Sequence, residues 1–267
     1  PYTTLFRSCY ATLDLKTTGD NTAAGGIVGY DTGGCVFESF AKVNISAKNK
    51  SGYYGGICAM AEKSRIYKCV SSGSISAAGT STYCGGVSGM SDASVIYNCY
   101  STADISSSAP QAYIGGIAGY AGEESNVQNT YSLGNVIASG GAVTYAGGIC
   151  GYTENSFVTQ NISANPVINS TGFAGCITAY YTYSEACGNF SLSESLINSK
   201  HPSDSDYNGR VKTLQALKNE DFYFRTVDKG GLLGWDKENV WAWKKNASIP
   251  YLDGVEGQEN IKFPNYK

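Results

Sequence analysis

The chain has 267 residues, a net charge of -3 and only 15% charged residues, while 33 glycines and 21 tyrosines replace the usual Lys/Glu/Leu mixture. That profile excludes a helical bundle and favours an all-β stack with a hydroxyl-rich surface. No basic stripe supports a nucleic-acid partner, and no apolar run approaches the ~20 residues that a membrane-spanning helix needs.

Residues 1–8, PYTTLFRS, match what a widely used sequencing-adapter oligonucleotide encodes in one frame, and are read as an assembly artefact joined to a truncated gene. The lack of a visible signal peptide then says nothing about export, and the sequence is expected to be part of a longer chain.

From Gly25 onward one phrase recurs. Gly25-Gly26-Ile27 is followed by Gly55-Gly56-Ile57, Gly85-Gly86-Val87, Gly115-Gly116-Ile117 and Gly147-Gly148-Ile149, with a degraded Gly175-Cys176-Ile177 at the end. The aliphatic residues are separated by 30, 30, 30, 32 and 28 positions. A period this regular means stacked repeats. Other columns keep the same period. Val36, Ile66, Ile96, Val127 and Val158 form one, and Phe40, Val70, Tyr100, Tyr131, Ile162 and Phe190 a second, with Tyr10 preceding it. A third holds Ile45, Ile75, Ile105, Val136 and Val167, preceded by Leu15. All three are read as core.

Short apolar and polar alternation cut by Gly, Ser and Asn indicates strands. Three are expected per period: one on the GGI phrase, one spanning the Val36 and Phe40 columns, one on the Ile45 column. A unit of this kind buries its apolar face only by stacking on copies of itself. The predicted fold is a parallel β-helix, expected right-handed, of six to seven ~30-residue coils spaced ~4.8 Å apart. The glycine pair is expected at a corner, where positive φ or a close backbone approach is required. The small residues at 29, 59, 89, 119, 151 and 179 are expected to fill a second inward position.

The phrase G-G-I-x-G-Y, followed by a segment such as Ser94 to Ser101, resembles the GLUG repeat of bacterial surface and secreted proteins. The likeness covers about residues 9–198. The family's usual Leu is Ile or Val here, and the last copy loses its second glycine to Cys176. The resemblance implies an exported, cell-surface location and an adhesive role.

After Asn198 the period is expected to stop. Residues 199–210 read as a polar linker, and residues 211–267 as a small α+β cap. A short helix is placed with Thr213 as N-cap and Leu214 and Leu217 on one face. Trp235, Trp241 and Trp243 are expected as buried anchors of a cap that closes the open end of the stack.

Catalytic chemistry finds little support. The repeat carboxylates share no column on more than two adjacent coils; Asp31, Glu62, Asp92 and Glu123 come closest and read as turn residues. The single histidine, His201, sits in the linker without a nucleophile elbow. The nine cysteines include no CxxC pair, which argues against a metal site, and most read as small buried thiols. No cofactor is implied.

One surface feature stands out. Tyr120, Tyr152 and Tyr180 close successive glycine phrases and should stack as an outward ladder, a candidate surface for ligands. The sequence therefore reads as a non-enzymatic stalk or adhesin that binds a host or matrix protein or glycan. Two alternatives are a carbohydrate-active β-helix enzyme and the accessory repeats of a longer protein similar to immunoglobulin A proteases.

Overall fold

The structure, a computed structural model, describes residues 4–226, 232–244, 248–258 and 261–266. The chain climbs through about six coils of parallel strands, a β-solenoid, as the repeats require. One coil serves for all. Ser81–Gly85 runs up to the glycine pair and Ser88–Asp92 leaves it; Val95–Tyr97 follows, then Tyr100–Ser101 and Asp104–Ser107. Each strand pairs in register with its counterpart on the next coil: Tyr83 with Tyr113, Met90 with Tyr120, Ile96 with Val127, Ile105 with Val136. Four parallel sheets result. We call them the pre-glycine and post-glycine sheets, of six strands each, the narrow sheet of seven and the broad sheet of twelve.

This corrects the three-strand expectation. The GGI phrase is not a strand but the corner between two sheets. Nor do the Val36 and Phe40 columns share a strand: they lie on the narrow and broad sheets respectively. Within the third column, Ile168 rather than Val167 pairs with Val136 and is buried.

The glycine pairs are explained by crowding. None of Gly25, Gly26, Gly55, Gly56, Gly85, Gly86, Gly115, Gly116, Gly147 and Gly148 has positive φ. Instead, a Cβ on the second glycine would collide with the carbonyl oxygen of the next coil's second glycine and with a small residue of the broad sheet. For Gly56 that residue is Ser71, for Gly86 Ser101, for Gly116 Ser132. The corner thus folds inward until it touches the opposite wall. This waist divides the interior into two columns. One contains Ile57, Val87, Ile117 and Ile149 with Ile66, Ile96 and Val127; the other contains Ile45, Ile75 and Ile105 with Tyr54, Cys84 and Ile114. Ile27 packs against the first column, half-buried in the first coil. The small residue two past each aliphatic faces neighbouring backbone rather than a core: a Cβ on Gly119 would lie 2.6 Å from Gly89 O and 2.7 Å from Tyr113 O.

Two other corners carry a polar device. A residue with left-handed φ, such as Lys63, Ala93 or Asn155, precedes a buried serine. The serine hydroxyl then accepts the amide of the coil before it: Ser64 N donates to Ser94 Oγ at 3.0 Å, and Ser94 N to Ser125 Oγ at 3.0 Å. On the far side of the narrow sheet, Thr130 N donates to Asn161 Oδ1 and Asn161 N to Asn189 Oδ1, each at 2.9 Å. Buried turn amides are thereby satisfied without water.

The Phe40 column does not point into the coil. Ala41 and Val43 face inward, so Phe40, Val70, Tyr100, Tyr131, Ile162 and Phe190 stand on the outer face of the broad sheet. They are buried because the C-terminal segment lies over them. Tyr131 OH donates to Pro250 O at 2.8 Å and Tyr100 OH to Gln258 Oε1 at 2.7 Å. Trp235 and Trp241 stack on each other with centroids 4.7 Å apart over the Tyr100–Tyr131 pair, while Trp243 is half-buried beside Tyr223. The expected end-cap is therefore a cover along the flank. Its helix Leu214–Leu217 starts at Thr213, whose Oγ1 accepts from Ala216 N.

The stretch expected to be a linker instead ends the stack. Thirty positions beyond Ile177, Tyr207 O accepts from Ile177 N at 2.7 Å and Thr178 N at 3.2 Å, the bonds that Ile177 O makes with Ile149 N and Cys150 N one coil earlier. Asn208 Oδ1 accepts from Cys176 N, and Arg210–Lys212 pairs with Phe190–Leu192. The period continues for one partial coil under a loop-like composition. At the other end, Leu5–Arg7 pairs in parallel with Cys35–Phe37 and Phe6 packs on the core; residues 1–3 lie outside the described residues.

Candidate functional site

Tyr120, Tyr152 and Tyr180 occupy one register position of the post-glycine sheet, below Met60 and Met90. Their rings stack with centroids 5.8 and 5.6 Å apart. Their hydroxyls are turned along the stack: Tyr120 OH donates to Glu154 Oε2 at 2.7 Å, and Tyr152 OH lies 3.1 Å from Thr182 Oγ1. On the first coil, Tyr30 OH donates to Glu62 Oε2 at 2.5 Å.

A second ladder stands beside the first. Tyr53, Tyr83, Tyr113, Tyr145 and Phe173 on the pre-glycine sheet stack with centroid steps of 4.9, 4.7, 5.2 and 5.5 Å. The inward-folded glycine corner turns the outer faces of the two sheets toward one another. The rings therefore meet edge to face: Tyr113 with Tyr120 at 6.3 Å, Tyr145 with Tyr152 at 5.3 Å, Phe173 with Tyr180 at 5.3 Å. The result is a trough over the glycine corner, filled by eight aromatic rings that interlock across it. Sequence reasoning found only one wall, although the signal for the other was present: each of its rings precedes the repeat aliphatic by four residues.

Two of the phenols, Tyr83 and Tyr120, are held protonated by their surroundings. Burial, followed by the neighbouring Tyr113 and Tyr53 phenols, pushes the Tyr83 hydroxyl up to about 12. Burial, then the hydrogen bond to Glu154 and its charge, raises Tyr120. These groups donate hydrogen bonds at any physiological pH and supply no phenolate. Glu62 and Asp92 stand opposite each other in register, and burial together with the Glu62 charge raises the Asp92 carboxyl. Asp31 turns inward and is buried, and Glu123 sits in a left-handed turn, so the four carboxylates do not converge.

The remaining reactive groups lie apart. All nine cysteines are free thiols; burial raises Cys58 and Cys84 to about 12, which keeps them protonated. His201 Nδ1 lies 3.2 Å from Ser195 O in the partial coil, far in sequence from the trough. Among the described residues no three His, Cys, Asp or Glu side chains are grouped to hold a metal ion, and no helix is long and apolar enough to cross a membrane.

Fold and surface together define a repeat β-solenoid with an aromatic trough along one side. No protein-family model matches the chain, and no curated protein matches it in sequence. Among solved structures the chain is similar to a Bacteroides ovatus protein named, provisionally, an immunoglobulin A1 protease. The TM-score is 0.56 and the identity 21%, over 91% of this chain and 76% of that one. At this identity the likeness concerns the fold.

Proposed function

We propose that the chain is a non-enzymatic module of an exported bacterial surface protein, a rigid stalk that binds a host or matrix protein or glycan along its tyrosine trough. The GLUG-like repeats suggest the location, and the observation that carries the binding role is the pair of interlocked ring ladders. Tyr120 donates to Glu154 and Tyr152 lies beside Thr182, so stacked ring faces and phenol hydroxyls combine in one amphipathic array suited to recognition. A hydrolase or lyase would want a cluster of converging carboxylates; of the four only Glu62 and Asp92 stand together, while Asp31 turns inward and Glu123 sits in a turn, which favours binding. A second reading, accessory repeats of a larger immunoglobulin A protease-like protein, is favoured by the Bacteroides ovatus likeness and is compatible with the same trough.

The test is a host-protein and glycan array probed with the wild-type chain and with Tyr120→Ala/Tyr152→Ala. Binding to a defined partner should weaken about tenfold in the double variant, the scale of two lost aromatic contacts, with an unchanged circular dichroism spectrum. Equal binding by both proteins would remove the trough from the account.

A further inference from the structure

The tyrosine trough changes character on the second and third coils. There the post-glycine register position that Tyr120 and Tyr152 hold further down is held by Met60 and Met90. Tyr83 still meets Tyr120 edge to face, but Tyr53 meets no ring across the corner among the described residues. The interlock is open at this point, and flexible thioethers take the place of fixed phenols. Both methionines are half-buried, so they form accessible floor rather than core.

The two banks of this stretch differ in charge. Two residues beyond the methionines, on the same outer face, stand Glu62 and Asp92, and Glu154 holds the equivalent place on the fifth coil. The turn after Gly122 adds Glu123 and Glu124, both exposed. The turns of this bank contribute a single cation, Lys63, whose Nζ lies 3.7 Å from Glu62 Oε1 and whose side chain is 72% exposed. The outward residues opposite, Ser51, Ser81 and Gln111, are uncharged. Glu62 and Asp92 are in register on adjacent coils, about 4.8 Å apart at the backbone, and burial together with the Glu62 charge raises the Asp92 carboxyl. A cation between them relieves that repulsion.

Shape and charge together select a side chain. The ligand needs an apolar stem to lie along Met60 and Met90 beside the Tyr53 ring, and a cationic head beyond it to reach the two carboxylates. Lysine and arginine have that build. Arginine suits it better, because its flat fork bonds two carboxylates at once and stacks on rings, whereas an ammonium is a point charge. An amino sugar carries its ammonium directly on the ring and has no stem.

We propose that Tyr53, Met60 and Met90 with Glu62 and Asp92 form a seat for an arginine side chain of a basic protein segment. The proposal rests on the recognition role above and narrows its partner to a protein.

Hexa-arginine, hexa-lysine and a chitosan hexamer, titrated calorimetrically into the full chain at physiological ionic strength, test it. Hexa-arginine should bind most tightly, hexa-lysine about fivefold more weakly and chitosan not at all. Glu62→Gln/Asp92→Asn should weaken hexa-arginine about thirtyfold, the scale of two charge-assisted hydrogen bonds, and Met60→Ser/Met90→Ser about fivefold. Glu220→Gln/Asp221→Asn removes the same charge from the cover helix Glu220–Phe224 and should change binding by less than about twofold. Absence of hexa-arginine binding, an equal loss in both charge variants, or chitosan binding as tight as hexa-arginine would each overturn the seat. A glycan that binds the wild-type chain on the array and is lost in Tyr120→Ala/Tyr152→Ala, while hexa-arginine fails to bind, would overturn the seat and leave the trough standing.

Discussion

Glycine 116 shows how little room a single position has. Its backbone angles suit any residue, yet a side chain there would strike Ser132 Oγ and the carbonyl of Gly148, neither of which can retreat without moving a strand. Gly33 is the opposite case, with φ +67 and open space around it. Gly116→Ala should therefore lower unfolding free energy by about 2–3 kcal/mol through overpacking, and Gly33→Ala by only about 1 kcal/mol through left-handed strain. Urea denaturation of the two variants measures the difference; equal losses would mean that the waist is not tightly packed. The glycine repeat itself was plain in the sequence. Its cause was not, because crowding from the broad sheet depends on Ser71, Ser101 and Ser132, which read as ordinary strand hydroxyls.

At the scale of the strand and the segment, the same limits explain what sequence reasoning found and missed. Periodicity locates the columns but does not say which side of the wall they face. Phe40, Tyr100 and Tyr131 look like core because they are apolar and regular, and they are buried, but under the C-terminal cover. Nothing local to the repeats announces a cover whose contacts are more than a hundred residues away, such as Tyr131 with Pro250. The serine and asparagine columns at the turns were equally hidden, since Ser64, Ser94 and Asn161 have the composition of loops. The cover can be tested directly. Trp241 is buried against Tyr100, Tyr131 and Trp235, and its Nε1 donates to Asn98 Oδ1 at 3.3 Å. Trp241→Ala should cost about 3–5 kcal/mol and lay bare the aromatic strip, seen as a lower urea midpoint and new binding of an apolar dye. An unchanged midpoint would show that the segment merely rests on the sheet.

Across the whole molecule, thirty-residue spacing becomes vertical distance. From Ile57 to Tyr207 one hydrogen-bonding position repeats, its carbonyl each time taking two amides from the coil before it. That single rule builds the two-column interior, aligns the rings into ladders and folds the glycine corner into a trough. The ladder of Tyr120, Tyr152 and Tyr180 was visible in the sequence because its members follow the glycine phrase; Tyr207 was obscured because residues 199–210 resemble a linker. Any binding role depends on these rings being held in rank by rigid coils rather than displayed on separate loops.

The most direct measurement is the separation of two residues far apart in sequence and close in the stack. Lys16 and Ile137 lie on the outer face of the broad sheet, joined in register through Ser46, Ser76 and Ser106. Spin labels at these two positions, with Cys9, Cys35 and Cys187 replaced by serine, should give one narrow pulsed-resonance distance near ~19 Å, four coil spacings. A broad distribution, or a peak at twice that distance or more, would contradict the stacked-coil account.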